Sequence, residues 1–393
     1  MRRRDFLAGV TATGAALAGC SGGTDGESTT EDGGETSTET PESTDAPTNT
    51  ATETPEPTET ETGPYSVTME PVGTVEFESV PETWLANNGS WADMGAALGL
   101  EPPEGVWLTR RYHTQYYDDI PGVSVDKSDM VSLSQSGSVS KEQFYDIDAD
   151  VHVVDPNFLM NRFDRWDQSD ITDVRENVGP VFGNSSFSTG YPWHSDYRYY
   201  SVMEAFEKLA QVFQRTDRYE AFEAVRDEFQ SNLAPVVPVR GERPPVAVLW
   251  GLGNEPAEFL PYTVGDGTSF AHLRTLGVRD AMAESDVQDF HSERAAIDFE
   301  TLLEVDPPVL LLRGYEGMGS DEFRDTVVGS LEDDSTGSAL TAVRNGDVYR
   351  AGGLYQGPIT NMVLTERLAG DLYDFDGDLF DRERVAEIAN GDL

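Results

Sequence analysis

Nine side chains lie where apolar, strand-like runs give way to loops or helix starts, and each is aromatic or basic: Trp91, Arg111, Tyr112, His113, Trp250, Tyr262, Arg313, Tyr315 and Tyr355. A guanidinium offers a planar fork of donors that matches a carboxylate or the oxygen shell of an anionic metal chelate, and flat rings cover broad organic surfaces. Placed together, these residue types make a binding cleft for a bulky small molecule. Taken singly, each is also explained by packing or by a cation–π pair with a neighbour. The cluster Tyr191-Pro192-Trp193-His194 with Tyr197 to Tyr200 either lines the same cleft or wedges its two sides.

Other chemistries find little support. The chain has no Gly-x-Ser-x-Gly elbow, no His-Glu-x-x-His and no Walker loop, and Gly251-x-Gly253 lacks the third glycine of a dinucleotide site. A catalytic reading has only scattered acids to draw on, so no enzyme and no cofactor are expected. The five histidines, His113, His152, His194, His272 and His291, show no ligand spacing, which argues against a bare-metal site. His152 sits within an apolar run and reads as a core residue. Tyr116-Tyr117 could bind ferric iron, but strand-end packing explains the pair more simply.

The elements that must position these residues follow from periodicity. Ser66–Met69 and Thr74–Phe77 alternate as a hairpin, and Val80–Ala86 enters the core. A helix then opens at Ser90, with Asp93 in a capping-box pattern, and runs to Gly99. Val106–Leu108 and Val151–Val154 are buried strands ending at Arg110 and Asp155. The plan recurs after residue 235. Val246–Trp250 is followed by a long loop to Thr268 and a helix from Ser269 closed by Gly277; then come strands at Val309–Leu312 and Gly346–Tyr349 and a helix from Ile359 to Tyr373. Strands alternating with helices predict parallel sheets, with a ligand crevice at the carboxyl ends of the strands.

Between the two halves, Val202, Phe206, Leu209 and Phe213, then Tyr219, Phe222, Val225, Phe229 and Leu233, carry helical spacing. The period slips after Phe213, where Thr216 or Asp217 can cap a new start. Two successive helices are therefore expected, the second about 25 Å long at 1.5 Å per residue, forming a strut that the prolines at 235, 238, 244 and 245 terminate. The halves also repeat one another. Glu142 to Val154 and Glu300 to Leu312 register without a gap: an acid at the start of a short helix, an acid four residues on, Asp at the turn, then a four-residue apolar strand.

The first 20 residues read as an export signal. Arg2-Arg3-Arg4-Asp5-Phe6-Leu7 is of twin-arginine type, the following apolar run is too short to span a bilayer, and Leu17-Ala18-Gly19-Cys20 resembles a lipobox whose Cys20, the single cysteine of the chain, takes the lipid. Residues 21–64 are Thr, Ser, Gly, Glu, Asp and Pro with almost nothing apolar, a composition that stays disordered and serves as a tether. Binding lobes are then expected over 65–200 and 235–393, with the strut at 201–234. The net charge is −45, and the lysines number three, Lys127, Lys141 and Lys208. An acidic, lysine-poor surface fits very high salt, where self-repulsion is screened, and argues against nucleic acid. Leader, tether and charge together point to a haloarchaeal cell surface, with the protein lipid-anchored on the extracellular face of the membrane.

At this point the chain resembles the periplasmic binding proteins of iron-siderophore and vitamin B12 importers. The resemblance rests on the opening hairpin with Val80-Pro81-Glu82, Ala97-Leu98-Gly99, the unit at Glu142, the strut, Gly265-Asp266-Gly267-Thr268-Ser269, the unit at Glu300, and Leu340 through Tyr349. It departs where that family usually has a basic residue after Pro-Glu and a proline before the Asp at position 150. The resemblance implies an α/β fold of two three-layer, Rossmann-like lobes on one rigid helix, acting as a monomeric carrier. It implies a ferric chelate or a corrinoid in the interlobe cleft, and delivery to an ABC permease and its ATPase. It also implies that Glu142 and Glu300, one on top of each lobe, dock into arginine pockets of the permease. On the residues alone, each of these acids does no more than complement a helix dipole. An exported hydrolase and a surface sensor are the readings from other classes.

Overall fold

The computed structural model describes residues 63–134, 137–187, 191–194, 196–289 and 295–393. The leader with Cys20, the tether up to residue 62 and His291 lie outside the described residues. The hairpin forms as expected from β1 (Tyr65–Met69) and β2 (Gly73–Phe77), paired antiparallel with Val67 opposite Val75. The first lobe is a parallel sheet of β3 (Trp84–Ala86), β4 (Gly105–Val106), β5 (Val131–Ser132) and β6 (Val151–Val153), in the order β5-β4-β3-β6. Around it lie α1 (Gly89–Ala97), α2 (Lys141–Ile147), α3 (Pro156–Arg162) and α4 (Gln168–Asn177).

After α5 (Val202–Val212) and α6 (Thr216–Leu233), the second lobe begins with β7 (Pro245–Gly251). It continues with β8 (Glu258–Tyr262), α7 (Ala271–Leu276), β9 (Arg279–Asp280), β10 (Ile297–Asp298), α8 (Phe299–Val305) and β11 (Val309–Arg313). The chain closes with α9 (Thr341–Asn345), β12 (Val348–Arg350), α10 (Pro358–Tyr373) and α11 (Arg382–Asn390). Its sheet runs β10-β8-β7-β11-β12, with β9 also beside β7. Strands β7, β11 and β12 are mutually parallel and β8 is antiparallel. Strand β8 lies inside the stretch read as a loop from Gly251 to Thr268. Pro261 obscures it in the sequence, yet β10 pairs only as far as Phe259, so on that side Pro261 meets no strand that needs an N–H.

The two helices of the strut do not act as one rod. Phe206 of α5 packs edge-on against both Tyr219 and Phe222 of α6, which folds the pair together and makes α5 part of the first lobe's packing. The spanning element is α6 alone, 18 residues and about 27 Å at 1.5 Å per residue. At its start Arg218 donates to Leu98 O, beyond α1, and to Ala389 O of α11. Further along, Arg226 reaches Asn361 of α10 at 2.9 Å, and Phe229 meets Phe380. One apolar cluster runs unbroken from Trp84 and Met94 through Phe206, Phe222 and Phe229 to Val248, Leu311 and Met362, so both sheets rest on a common core.

Two expected caps are placed differently. The N-cap of α1 is Asn88, whose side chain accepts from Ser90 N, and Asp93 turns away toward the other lobe. Helix α6 starts after Arg215 with no side-chain cap, the reversal being made by Gln214 at φ 50°. The chain carries two N-glycosylation sequons, Asn88-Gly89-Ser90 and Asn184-Ser185-Ser186, and both are buried. Asn88 caps a helix and Asn184 donates to Glu70 O and Arg198 O, so neither amide has room for a sugar.

Candidate functional site: the interlobe cleft

The cleft is assembled from chain that leaves the carboxyl ends of parallel strands in both lobes. From the first lobe come Arg110 and Arg111, in the 3-10 turn Thr109–Arg111 after β4, and then His113. From the second come Trp250 at the end of β7, Gly314 and Glu316 after β11, and Gly352 to Leu354 after β12. Between them is a cavity of about 60 Å³. The Arg111 guanidinium lies 4.9 Å from the centroid of the Trp250 ring, a cation–π contact that crosses from one lobe to the other. Gly314 makes room for that indole. Its φ is +100°, and a Cβ there would sit 3.1 Å from two atoms of the Trp250 ring.

The floor is a buried ionic network centred on Glu316, whose side chain is 2% exposed. One carboxylate oxygen accepts from Gly352 N at 2.8 Å; the other accepts from Arg367 of α10 at 3.2 Å and from the Tyr116 hydroxyl. Burial alone would raise the Glu316 pKa, but Arg367 beside it, together with the Tyr116 hydroxyl and Arg350, holds the carboxyl well below the ordinary carboxylate range. Glu316 is therefore an anion already neutralised within its own lobe. Burial pushes His113 below its usual range, which leaves a neutral imidazole at pH 7. What faces the cavity is two guanidiniums, a neutral ring and a compensated carboxylate. That is a positive lining in a chain of net charge −45.

Of the nine residues picked from the sequence, Arg111, His113 and Trp250 line this cavity. Tyr355 is buried just behind it, 5.4 Å from Phe187 and 6.5 Å from Trp107, in an aromatic wall that Tyr191 and Trp193 extend as a stack 4.4 Å apart. The other five belong to the interior. Trp91 is wholly buried in α1, with its indole N–H on Asn184 O at 3.2 Å. The Tyr112 and Tyr117 hydroxyls pair at 2.8 Å. Tyr315 donates to Gly253 O at 2.8 Å. Arg313 is fully buried beneath the floor, 4.3 Å from the Phe270 ring and 5.8 Å from the Tyr262 ring, and donates to Ser269 O. Arg111 and Arg313 thus do not face one another across a shared hollow. A strand end brings the backbone to the rim, but strand alternation sends every second side chain inward.

Arg110, Glu316 and Arg367 were not picked from the sequence. Glu316 is legible in retrospect, three residues past the end of β11, whereas Arg367 is mid-helix and nothing local marks it. Tyr116 and Tyr117 are engaged by carboxylates, Glu316 and Asp93. Among the described residues no group of three His, Cys, Asp or Glu side chains is placed to hold a metal ion, and no helix is long and apolar enough to cross a membrane. A hollow of about 710 Å³ lies on the flank of the second lobe beside α8, away from the carboxyl ends of the strands.

On top of the lobes, the sequence repeat is also a structural one. Glu142 and Glu300 are exposed in the first turns of α2 and α8. Each helix ends on a left-handed aspartate, Asp148 at φ 51° and Asp306 at φ 40°, before its strand.

The same architecture occurs in solved carriers. A periplasmic binding protein from Veillonella parvula superposes with a TM-score of 0.55 at 15% identity, over 80% of this chain and 99% of that one. The petrobactin-binding protein YclQ from Bacillus subtilis gives 0.52 at 12%, over 79% and 98%. The triscatecholate siderophore binding protein FeuA from Bacillus subtilis, complexed with ferri-bacillibactin, gives 0.50 at 14%, over 77% and 95%. At these identities the likeness is one of fold. No curated protein matches the sequence. The sequence profile of the periplasmic binding proteins matches residues 86–353, which runs from the first lobe through α6 to the end of β12 and just beyond, and the chain belongs to that family.

Proposed function

We propose that this protein is the extracellular substrate-binding lipoprotein of an ABC importer, and that it captures an anionic, ferric siderophore-type chelate in the interlobe cleft and delivers it to the permease. Members of its family are carriers, so no turnover is assigned. The observation that carries the reading is the cleft lining: in a chain with 72 acidic and 27 basic residues, the first lobe sets Arg110 and Arg111, with the neutral His113, against Trp250 of the second, opposed only by a Glu316 that Arg367 already compensates. Arginine forks and the Trp250 face suit the oxygen shell and organic rim of a metal chelate. The neighbouring proteins of the same fold that bind siderophores support this class of ligand. The lipid on Cys20, twin-arginine export, a haloarchaeal cell surface, a monomeric state and docking through Glu142 and Glu300 belong to the same proposal. They rest on the leader, the tether, the charge and the repeat.

The test is a titration in high salt, followed by tryptophan fluorescence, with ferric citrate, a ferric trishydroxamate, a ferric triscatecholate and cobalamin. One of the anionic chelates is expected to bind saturably. Losing the guanidiniums in Arg110→Ala and Arg111→Ala should weaken it by roughly 10- to 100-fold each, the worth of a hydrogen bond to a charged group. Binding by cobalamin alone would point to a corrinoid carrier. Binding by none, or affinity indifferent to both arginines, removes the reading.

A further inference from the structure

A cavity of about 60 Å³ holds a water or two, whereas small-molecule sites span roughly 300 to 1,000 Å³. The cleft as it stands is therefore too small for such a ligand, and contacts that close it, besides the Arg111–Trp250 pair, are identifiable. The 3-10 turn Thr114–Tyr117 of the first lobe leans on the loop after β11 of the second. Gln115 Nε2 donates to Glu316 O at 2.7 Å, and the Tyr116 hydroxyl donates to the Glu316 carboxylate. On the far side of this contact lies a second interlobe hollow of about 430 Å³, lined by Gln115, Tyr116 and Asp119 of the first lobe and by Arg350, Arg367 and Phe375 among others of the second. Tyr116 and Arg367 face that hollow, and Glu316 and His113 face the small one, so the Tyr116–Glu316 contact is the wall between them.

We infer that Gln115 and Tyr116 form a releasable latch on Glu316 that holds the cleft shut, and that the ligand is admitted by a form in which this latch is open and the two hollows are joined. The contact is built for reversible release. When Tyr116 and Gln115 withdraw, Glu316 keeps Arg367 and Gly352 N, both from its own lobe, so no buried charge is stranded. The Tyr116 hydroxyl and the Gln115 amide reach solvent as they separate. The lobes stay joined meanwhile by a seam away from the latch, where Ser90 Oγ accepts from Gln356 N at 2.9 Å and Asp93 accepts from Thr360. A closed form too small to admit the ligand lowers apparent affinity in proportion to the open fraction, so loosening the latch should tighten binding.

The assignment of the cleft as the ligand site rests on the proposed function; the latch itself is tested without ligand. Dye pairs are placed on the exposed lobe tops through Tyr145→Cys and Glu304→Cys, in full-length chain carrying Cys20→Ala, and single-molecule energy transfer is read in high salt. The otherwise unaltered chain is expected to show one short-distance population, and Gln115→Ala with Tyr116→Phe a second, longer one. The single variants, of which Gln115→Ala changes an exposed side chain, should fall between. An unchanged distribution in the double variant overturns the latch, as does a wide distribution in the parent. In the titration with the three ferric chelates, the double variant should bind ~10-fold more tightly, whereas a side chain that merely supported the site would loosen binding when altered. If no chelate binds either protein, the proposed ligand fails while the distance measurement still decides the latch.

Discussion

Asp93 shows how much one residue can do away from the cleft. It lies in α1, is wholly buried, and accepts from the Tyr117 hydroxyl at 2.7 Å, from the Thr360 hydroxyl at 2.8 Å and from Thr360 N at 3.2 Å. Its partners are hydroxyls and backbone, not a cation, and burial pushes its pKa up to about 6. Between the ordinary carboxyl value and that one, the native protein holds a proton that the unfolded chain has released, so stability contributed here falls as pH rises from about 4 to about 6 and is level above. Two pK units correspond to roughly 3 kcal/mol. Urea melts of the wild type and of Asp93→Asn should therefore diverge by up to that amount between pH 4 and pH 7, the Asn variant gaining on the wild type. Parallel curves would mean that the carboxyl is ionised at no cost.

At the scale of elements, Asp93 supplies what α10 lacks. The N-cap position of that 16-residue helix is Gly357, which has no capping side chain, and the free N–H groups of the first turn are met by an aspartate from the other lobe. The fit leaves no room for a methyl group: a Cβ on Gly357 would sit 2.4 Å from an Asp93 carboxylate oxygen and 2.7 Å from Ser90 O. Gly357→Ala should therefore cost about 1–3 kcal/mol, the usual range for overpacking, seen as a lowered thermal midpoint. None of this seam was legible in the sequence. Asp93 reads there as the N3 acid of a capping box, because local pattern cannot reveal a partner 267 positions away. What was legible is what repeats locally. The four-residue apolar strands, the paired units at Glu142 and Glu300 and the amphipathic spacing of α5 and α6 all depend on near neighbours. The two-residue strands and β8 with its proline carry too little local signal. The repeat in turn sets a prediction for α2 and α8. Two carboxylates fixed at the starts of matching helices select a partner's orientation more than they add affinity. Glu142→Arg with Glu300→Arg should abolish uptake in cells while leaving chelate titrations unchanged, and undiminished uptake would leave them as ordinary dipole-complementing acids.

For the molecule as a whole, charge outweighs any single contact. A net −45 is spread over a chain with 27 basic residues, some of which are already committed, such as Arg313 in the interior and Arg367 in its pair with Glu316. Folding brings these like charges closer than they are in the unfolded chain, so repulsion opposes the compact state, and the opposition weakens as the screening length falls from about 10 Å at 0.1 M salt to about 3 Å at 1 M. The opposing consideration is that the interior is ordinary: an apolar core continuous through both lobes, which would hold a neutral protein together without salt. Stability a few kcal/mol above zero is the norm for domains, so a repulsion of similar size decides the outcome. The thermal midpoint, followed by circular dichroism, should rise steeply between 0.1 M and 1 M KCl and flatten beyond, as expected of screening. Sucrose, which strengthens burial by exclusion from the surface but leaves charges unscreened, separates the two causes. If sucrose in dilute buffer restores the midpoint as well as KCl does, the acidic surface is not what salt acts on.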